Sequence, residues 1–186
     1  MQNKHAITTY KNCCFDPMEA CEADIRVEDI AHALSLICRA NGHFRVFYSV
    51  GQHSIHCAME AAACGYSGRT QLYCLMHDAA EAYLGDVTRP LKRHLPMYRD
   101  AEEKLQRTIY AALSILSPSQ EEQRIIKEID DRLLYHEFLM YHGSEVWDKA
   151  PPLSIALPVD EVAHRETEQR FLDLFSALKN NTQPHF

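Results

Sequence analysis

Residues Leu75 to Asp86 read LMHDAAEAYLGD, and they set a histidine, an aspartate and a glutamate among small and apolar residues. The pattern predicts a helix from about Arg69 to Tyr83, with Gly85 placed as its C-terminal stop. Leu72, Leu75, Met76, Ala79, Ala80 and Ala82 flank His77, Asp78 and Glu81, so the ionisable groups lie where a buried face is expected. Charged groups are costly to bury unless they are paired or hold a metal. On a helix, residues four apart share a face and the next residue lies about 100° away. His77 and Glu81 therefore project together, with Asp78 at the edge of that face. Imidazole nitrogen and carboxylate oxygen together suit a divalent cation such as Zn²⁺, Mn²⁺, Fe²⁺ or Co²⁺.

The rest of the chain has the same periodicity. In VEDIAHALSLICRA, Val27, Ile30, Leu34, Ile37 and Cys38 recur at helical spacing. A second helix is expected over QHSIHCAMEAAAC, stopping before Gly65, and a fourth from about Tyr98 to Leu116. Ser117 with Pro118 and Gln120 reads as a capped start for a fifth helix, which runs to Gly143. SEVWDKAPPLSIALP is expected to be irregular, and DEVAHRETEQRFLDLFSALK forms a last helix. Only the first 25 residues leave room for β structure, as a small hairpin. The expectation is an all-α bundle forming one domain over 1–186. Within it, 1–25 is an N-terminal extension, 26–143 a helical core, and 144–186 a loop and C-terminal helix.

Composition narrows the function. With 186 residues, 46% of them hydrophobic and 24% charged, the chain can bury a real core. A net charge of −7 argues against a nucleic-acid polymer or a membrane surface as partner, so an anionic substrate needs a local cluster of cations. MQNKHAITTYKN lacks the apolar centre of a signal peptide, and no apolar run reaches the length of a membrane span, so a cytoplasmic protein is expected. Seven cysteines without a CxxC pair support neither a disulfide framework nor a structural zinc site. Cys57 and Cys64 are read as buried apolar thiols.

Other ligands must come from elsewhere. In RIIKEIDDRLL, Asp130 has Ile126, Leu133 and Leu134 at helical spacing and so faces the core. Asp131 has Lys127 and Glu128 behind it and is expected nearer the surface. His53 and His56 both begin the second helix on nearly one face, and spacing does not choose between them.

A histidine, then HD, then a distant aspartate, all on helices, resembles the HD-domain superfamily of metal-dependent phosphohydrolases. DIAHALSLICRANGHFRVFYSVGQHS, LMHDAAEAYLGDVTRPLKRHLP and IKEIDDRLLYHE resemble successive blocks of the compact bacterial and phage branch related to 5′-deoxynucleotidases, covering roughly Asp29 to Glu137. The resemblance implies an HD-type helical bundle holding one divalent metal ion (Co, Mn, Zn, Fe or Mg) on His53, His77, Asp78 and Asp130. It makes Glu81 the glutamate that handles protons at the attacking water. It puts Asp86 near the substrate sugar and scissile ester. Arg39 matches the family's helix-end arginine, and with His43 and Lys92 it is expected to bind substrate. Arg45, Arg89, Arg93 and His94 are equally well read as solvated helix ends. Tyr48, Tyr83 and Trp147 are read as core or rim aromatics, with base stacking the alternative.

The resemblance implies hydrolysis of a nucleotide phosphate ester, a deoxynucleoside monophosphate to deoxynucleoside and phosphate, by a homodimer. A dNTP triphosphohydrolase at the same site is the alternative. A di-iron oxygenase would need further histidines between the HD pair and the last aspartate, where only His94 stands. A non-catalytic nucleotide-binding module would not need the full ligand set and Glu81.

Overall fold

In the computed structural model, which describes residues 6–182, the chain begins with an antiparallel hairpin of β1 (Ile7–Thr8) and β2 (Cys14–Phe15). Its anchor is Phe15, fully buried and stacked on Tyr83 with ring centres 4.1 Å apart. Eight α-helical segments follow among the described residues: α1 (Val27–Leu36), α2 (Val50–Ala63), α3 (Gly68–Met76), α4 (Glu81–Leu84), α5 (Arg89–Lys92), α6 (Pro96–Ala112), α7 (Gln120–Glu137) and α8 (His164–Thr182). The fold is an all-α bundle with a small N-terminal hairpin, as expected. No helix among the described residues is long and apolar enough to cross a membrane.

α2 lies at the centre, packed on α3, with α8 crossing α1, α2 and α3, and α7 against α2 and α3. The core they enclose includes Ile30, Leu34, Ile55, Ala58, Leu72, Leu75, Ile129, Leu133 and Phe171. α2 enters it tightly, because a Cβ on Gly51 would stand 3.2 Å from the backbone of Leu34. The irregular chain after α7 is tied to this centre. The buried Glu60 carboxylate on α2 accepts the backbone N–H groups of Ser154 at 2.8 Å and Ile155 at 3.2 Å.

Several boundaries differ from expectation: α6 ends at Ala112, short of Leu116, α8 starts at His164, after the expected Asp160, and three further differences have clear causes. α1 stops at Leu36, short of the expected Ala40, because the chain turns back to pair Cys38 with Ser49. Arg39 to Gly42 forms a 3₁₀ turn in which Ala40 and Asn41 take φ of 53° and 51°. The cap of α7 is Ser119 with Glu122, two residues beyond the expected Ser117, and the Glu122 carboxylate accepts the Ser119 N–H at 2.8 Å. A carboxylate suits the positive end of a helix better than the Gln120 amide. α7 then passes through a π-helical turn, Phe138–His142, to Gly143.

The third difference bears on the site. The helix expected over 69–83 is broken at His77 to Ala80. Gln106 of α6 is inserted there, accepting the Ala80 N–H at 3.0 Å and donating to the Met76 carbonyl at 2.7 Å. Those are the two groups a continuous helix would bond to each other. The local bonds become three-residue ones, Ala79 to Met76 at 3.1 Å and Glu81 to Asp78 at 3.0 Å. With about three residues per turn, Asp78 shares a face with Glu81. The expected pairing of His77 with Glu81 on one face is thereby corrected. Gly85 does end the segment, with φ of 81°.

Candidate metal centre and adjoining cavity

α2 places His53 at the heart of the bundle with no exposed surface. Its Nδ1–H donates to Glu137 Oε1 at 2.6 Å, and Nε2 lies 3.4 Å from Asp130 Oδ1 and 3.8 Å from Asp78 Oδ2; against burial and the Arg39 charge, Cys57, Glu137 and Asp130 raise its pKa well above the ordinary value. His56 turns away and bonds the Tyr48 hydroxyl at 2.7 Å, so the structure separates two histidines that spacing left equal. At the break after α3, His77 Nδ1–H donates to the Cys74 carbonyl at 2.8 Å. His77 Nε2 is buried without a hydrogen-bond partner, 3.3 Å from Asp78 Oδ2.

His53 Nε2 and His77 Nε2 thus stand beside the Asp78 and Asp130 carboxylates, whose charge is met by Arg39, 3.5 Å from Asp78 Oδ2, and by Arg89 on Asp130. A divalent ion is the group that would join imidazole nitrogen to carboxylate oxygen here. Ligands about 2.1 Å from an ion at tetrahedral angles lie about 3.4 Å apart, close to the measured separations. The residues fit a divalent metal ion. Sequence reading missed one more donor here. Cys57, one turn after His53 and buried, brings Sγ to 3.5 Å from His53 Nε2. His53, Cys57 and His77 have ligand atoms within 4.8 Å of one another and could hold a metal ion. Burial pushes the free Cys57 thiol up to about 11. Cys64, also expected to be buried, is exposed.

α7 supplies the carboxylates behind and beside the imidazoles. The Asp130 side chain is 17% exposed and that of Asp131 is 36%, as the periodicity predicted. Arg89 spans both aspartates. Burial pushes Asp130 up, but the His53 contact and the charges of His77 and Arg89 hold it well below the carboxylate range. Two helical turns on, Glu137 is fully buried and also accepts the Tyr48 hydroxyl at 3.0 Å, with Arg39 3.5 Å away. Despite its burial, His53 and Arg39 keep it ionised, with its pKa lowered to about 2. Glu137 was not singled out from sequence, although its spacing of seven from Asp130 repeats the same helix face.

A cavity of about 360 Å³ opens beside these carboxylates. Arg39, Asp78, Glu81, Asp86, Lys92 and Asp130 all line it, so most of the expected site residues are brought together. His43 is not; it is exposed and outside the lining. Arg89, Arg93, Phe44 and Trp147 join the wall, while Arg45 and His94 do not. Tyr48 and Tyr83 are placed elsewhere, the first buried behind His53 and the second under the hairpin. Glu81 is 3% exposed; one oxygen meets Lys92 Nζ at 3.4 Å and the other is buried without a partner. Burial, then the charges of Asp78 and Asp86, raise its pKa well above the usual range, against Lys92 and Arg39. Burial likewise raises Asp86, opposed by Arg39. Lys92 is also held by Glu102 at 2.7 Å.

No protein-family model matches the chain. It is 45% identical over 86 residues to the uncharacterized protein YfdR of Escherichia coli, covering 46% of each chain. It is 38% identical over 81 residues to an uncharacterized protein of Rhodobacter capsulatus, covering 41% of each. The chain thus matches a little under half the length of either relative.

Proposed function

We propose that this chain is a metal-dependent phosphohydrolase of the HD type that cleaves a nucleotide phosphate ester, taking a deoxynucleoside monophosphate to deoxynucleoside and phosphate. The observation that carries this reading is the approach of His53, His77, Asp78 and Asp130, with His77 Nε2 buried and unpartnered, at the edge of a cavity lined by cations. The charge balance also supports it. Arg39, Arg89, Lys92 and Arg93 face Asp78, Glu81, Asp86 and Asp130, so the lining is neutral. A divalent ion would leave it about two charges positive, the complement of a phosphate monoester dianion.

An ion held by His53, His77, Asp78 and Asp130 would polarise a phosphoryl oxygen and lower the pKa of water. The chain's own groups do the rest. Arg39 and Lys92 hold the phosphate against the carboxylates and offset charge as it develops on the phosphoryl oxygens. The unpartnered Glu81 oxygen takes the proton of the attacking water; its raised pKa brings it nearer the working pH, where acid–base exchange is most effective. Asp86, also raised, delivers a proton to the leaving oxygen. Phe44 and Trp147 give the nucleoside an apolar wall.

The test is to incubate metal-loaded protein with deoxynucleoside monophosphates, ribonucleoside monophosphates and dNTPs and to resolve the products by chromatography. Phosphate release from the deoxynucleoside monophosphates is expected. Triphosphate release from dNTPs would replace this reading with a triphosphohydrolase, and no turnover of any of them would sink it.

A further inference from the structure

Glu137 takes no part in the steps described above, although it touches both halves of the site. It ends α7 two helical turns after Asp130, so the two carboxylates leave the helix on one face. Asp130 lines the cavity; Glu137 does not, and stands behind His53 with no exposed surface. A carboxylate is costly to keep there, and an apolar side chain of similar length would fill the same space. What Glu137 touches accounts for it.

Its two oxygens meet different groups. Oε1 accepts His53 Nδ1–H at 2.6 Å and the Tyr48 hydroxyl at 3.0 Å, and that hydroxyl is itself held by His56 Nδ1 at 2.7 Å. With Nδ1 committed to Glu137, Nε2 is the nitrogen turned towards Asp78 and Asp130, the one that an ion would take. Oε2 is buried without a hydrogen bond and has Arg39 Nη2 3.5 Å away. Nη1 of the same guanidinium lies 3.5 Å from Asp78 Oδ2. Arg39 therefore spans two carboxylates, one behind the site and one in it, at the cavity wall. It opens a turn whose next two residues take φ of 53° and 51°, so no regular helix sets its direction and these contacts must.

We propose that Glu137 is the positioning residue that aligns the metal centre with the phosphate site, Oε1 orienting His53 towards the ion and Oε2 orienting Arg39 towards the phosphoryl group. The inference rests on the reading that His53 binds metal and Arg39 binds phosphate. Glutamine in place of Glu137 separates the two contacts. Its amide oxygen still accepts the imidazole N–H, whereas its neutral NH₂ offers the guanidinium no counter-charge and points donors at it.

The experiment titrates the chelator-stripped full chain with cobalt(II), then the cobalt-loaded protein with inorganic phosphate, for the unaltered protein, Glu137→Gln and Glu137→Ala. Glu137→Ala should bind cobalt ~10–100-fold more weakly, the cost of removing the group behind a metal-bound histidine. Glu137→Gln should keep cobalt affinity close to that of the unaltered protein while phosphate binds ~10-fold more weakly or worse, the scale of a lost charge-assisted hydrogen bond. A packing role alone predicts no such split, since the folded variants would then bind both normally. Unchanged cobalt affinity in Glu137→Ala, or unchanged phosphate affinity in Glu137→Gln, overturns the assignment and leaves the proposed function standing. No cobalt binding by the unaltered protein overturns both. If Glu137→Ala does not fold, Glu137→Gln decides alone: weaker phosphate with cobalt retained supports the assignment, and loss of both or of neither overturns it.

Discussion

Glu81 holds one oxygen against Lys92 and leaves the other buried without a partner, beside two carboxylates that raise its pKa. It has no place in the proposed four-ligand set, so the proposed mechanism gives it a role with water or substrate. Glu81→Gln should keep close to one metal per chain while kcat falls by ~10²-fold or more, the scale of losing a general acid or base. KM should change less if the contact forms mainly in the transition state. Metal content and steady-state kinetics on the same preparation check this: a metal-free variant makes Glu81 a ligand, and a fully active one makes it structural. At this scale the sequence was legible where burial conflicts with charge. Asp130 stands among Ile126, Leu133 and Leu134, and that alone separates it from Asp131. His53 and His56 were not separable, because the choice depends on Tyr48 and Glu137, distant in sequence from one of them. Cys57 was hidden for the opposite reason, since a buried cysteine is ordinary in a core.

Helices were legible as elements, and their interruptions were not. The apolar rhythm of 69–83 is continuous, yet the helix breaks because Gln106, on another helix, takes both ends of one backbone hydrogen bond. No local signal in LMHDAAEAYLGD announces a side chain arriving from α6. Asp78, inside the break, and Glu81, just after it, both line the cavity. Gln106→Leu should therefore act at a distance. Leaving the Ala80 N–H and Met76 carbonyl without partners costs about 1–3 kcal/mol, and closing the helix instead would swing Asp78 off the site. Either way metal affinity should fall although Gln106 is not a ligand, which thermal unfolding and metal titration of the variant would show. Metal binding equal to that of the unaltered protein would mean that the break is held by something other than Gln106.

Across the whole molecule, the centre of the bundle is unusually polar for a small helical fold, with His53, His56, Glu60 and Glu137 all buried. Acid sensitivity follows. Burial holds His56 at about 4 against its ordinary 6.5, so the fold favours the neutral ring. That contribution is complete above the unfolded value and is lost as pH falls from 6.5 through about 4, amounting to about 3 kcal/mol. Glu137, lowered from 4.5 to about 2, adds its loss in a lower window. His56→Gln should flatten the upper part of the acid limb and leave the lower part, as denaturant unfolding at a series of pH values would reveal; an unchanged upper limb would show that His56 is not its source. Glu60 carries a different consequence. Because its carboxylate gathers the Ser154 and Ile155 amides onto α2, a stretch with no regular structure is fastened to the helix that bears His53. Those two amides belong with the slowly exchanging protons of the core, and the chain that brings Trp147 to the cavity is one end of a strap fastened by the buried Glu60 carboxylate, by His136 on the Pro151 carbonyl and by Tyr141 on that of Pro158.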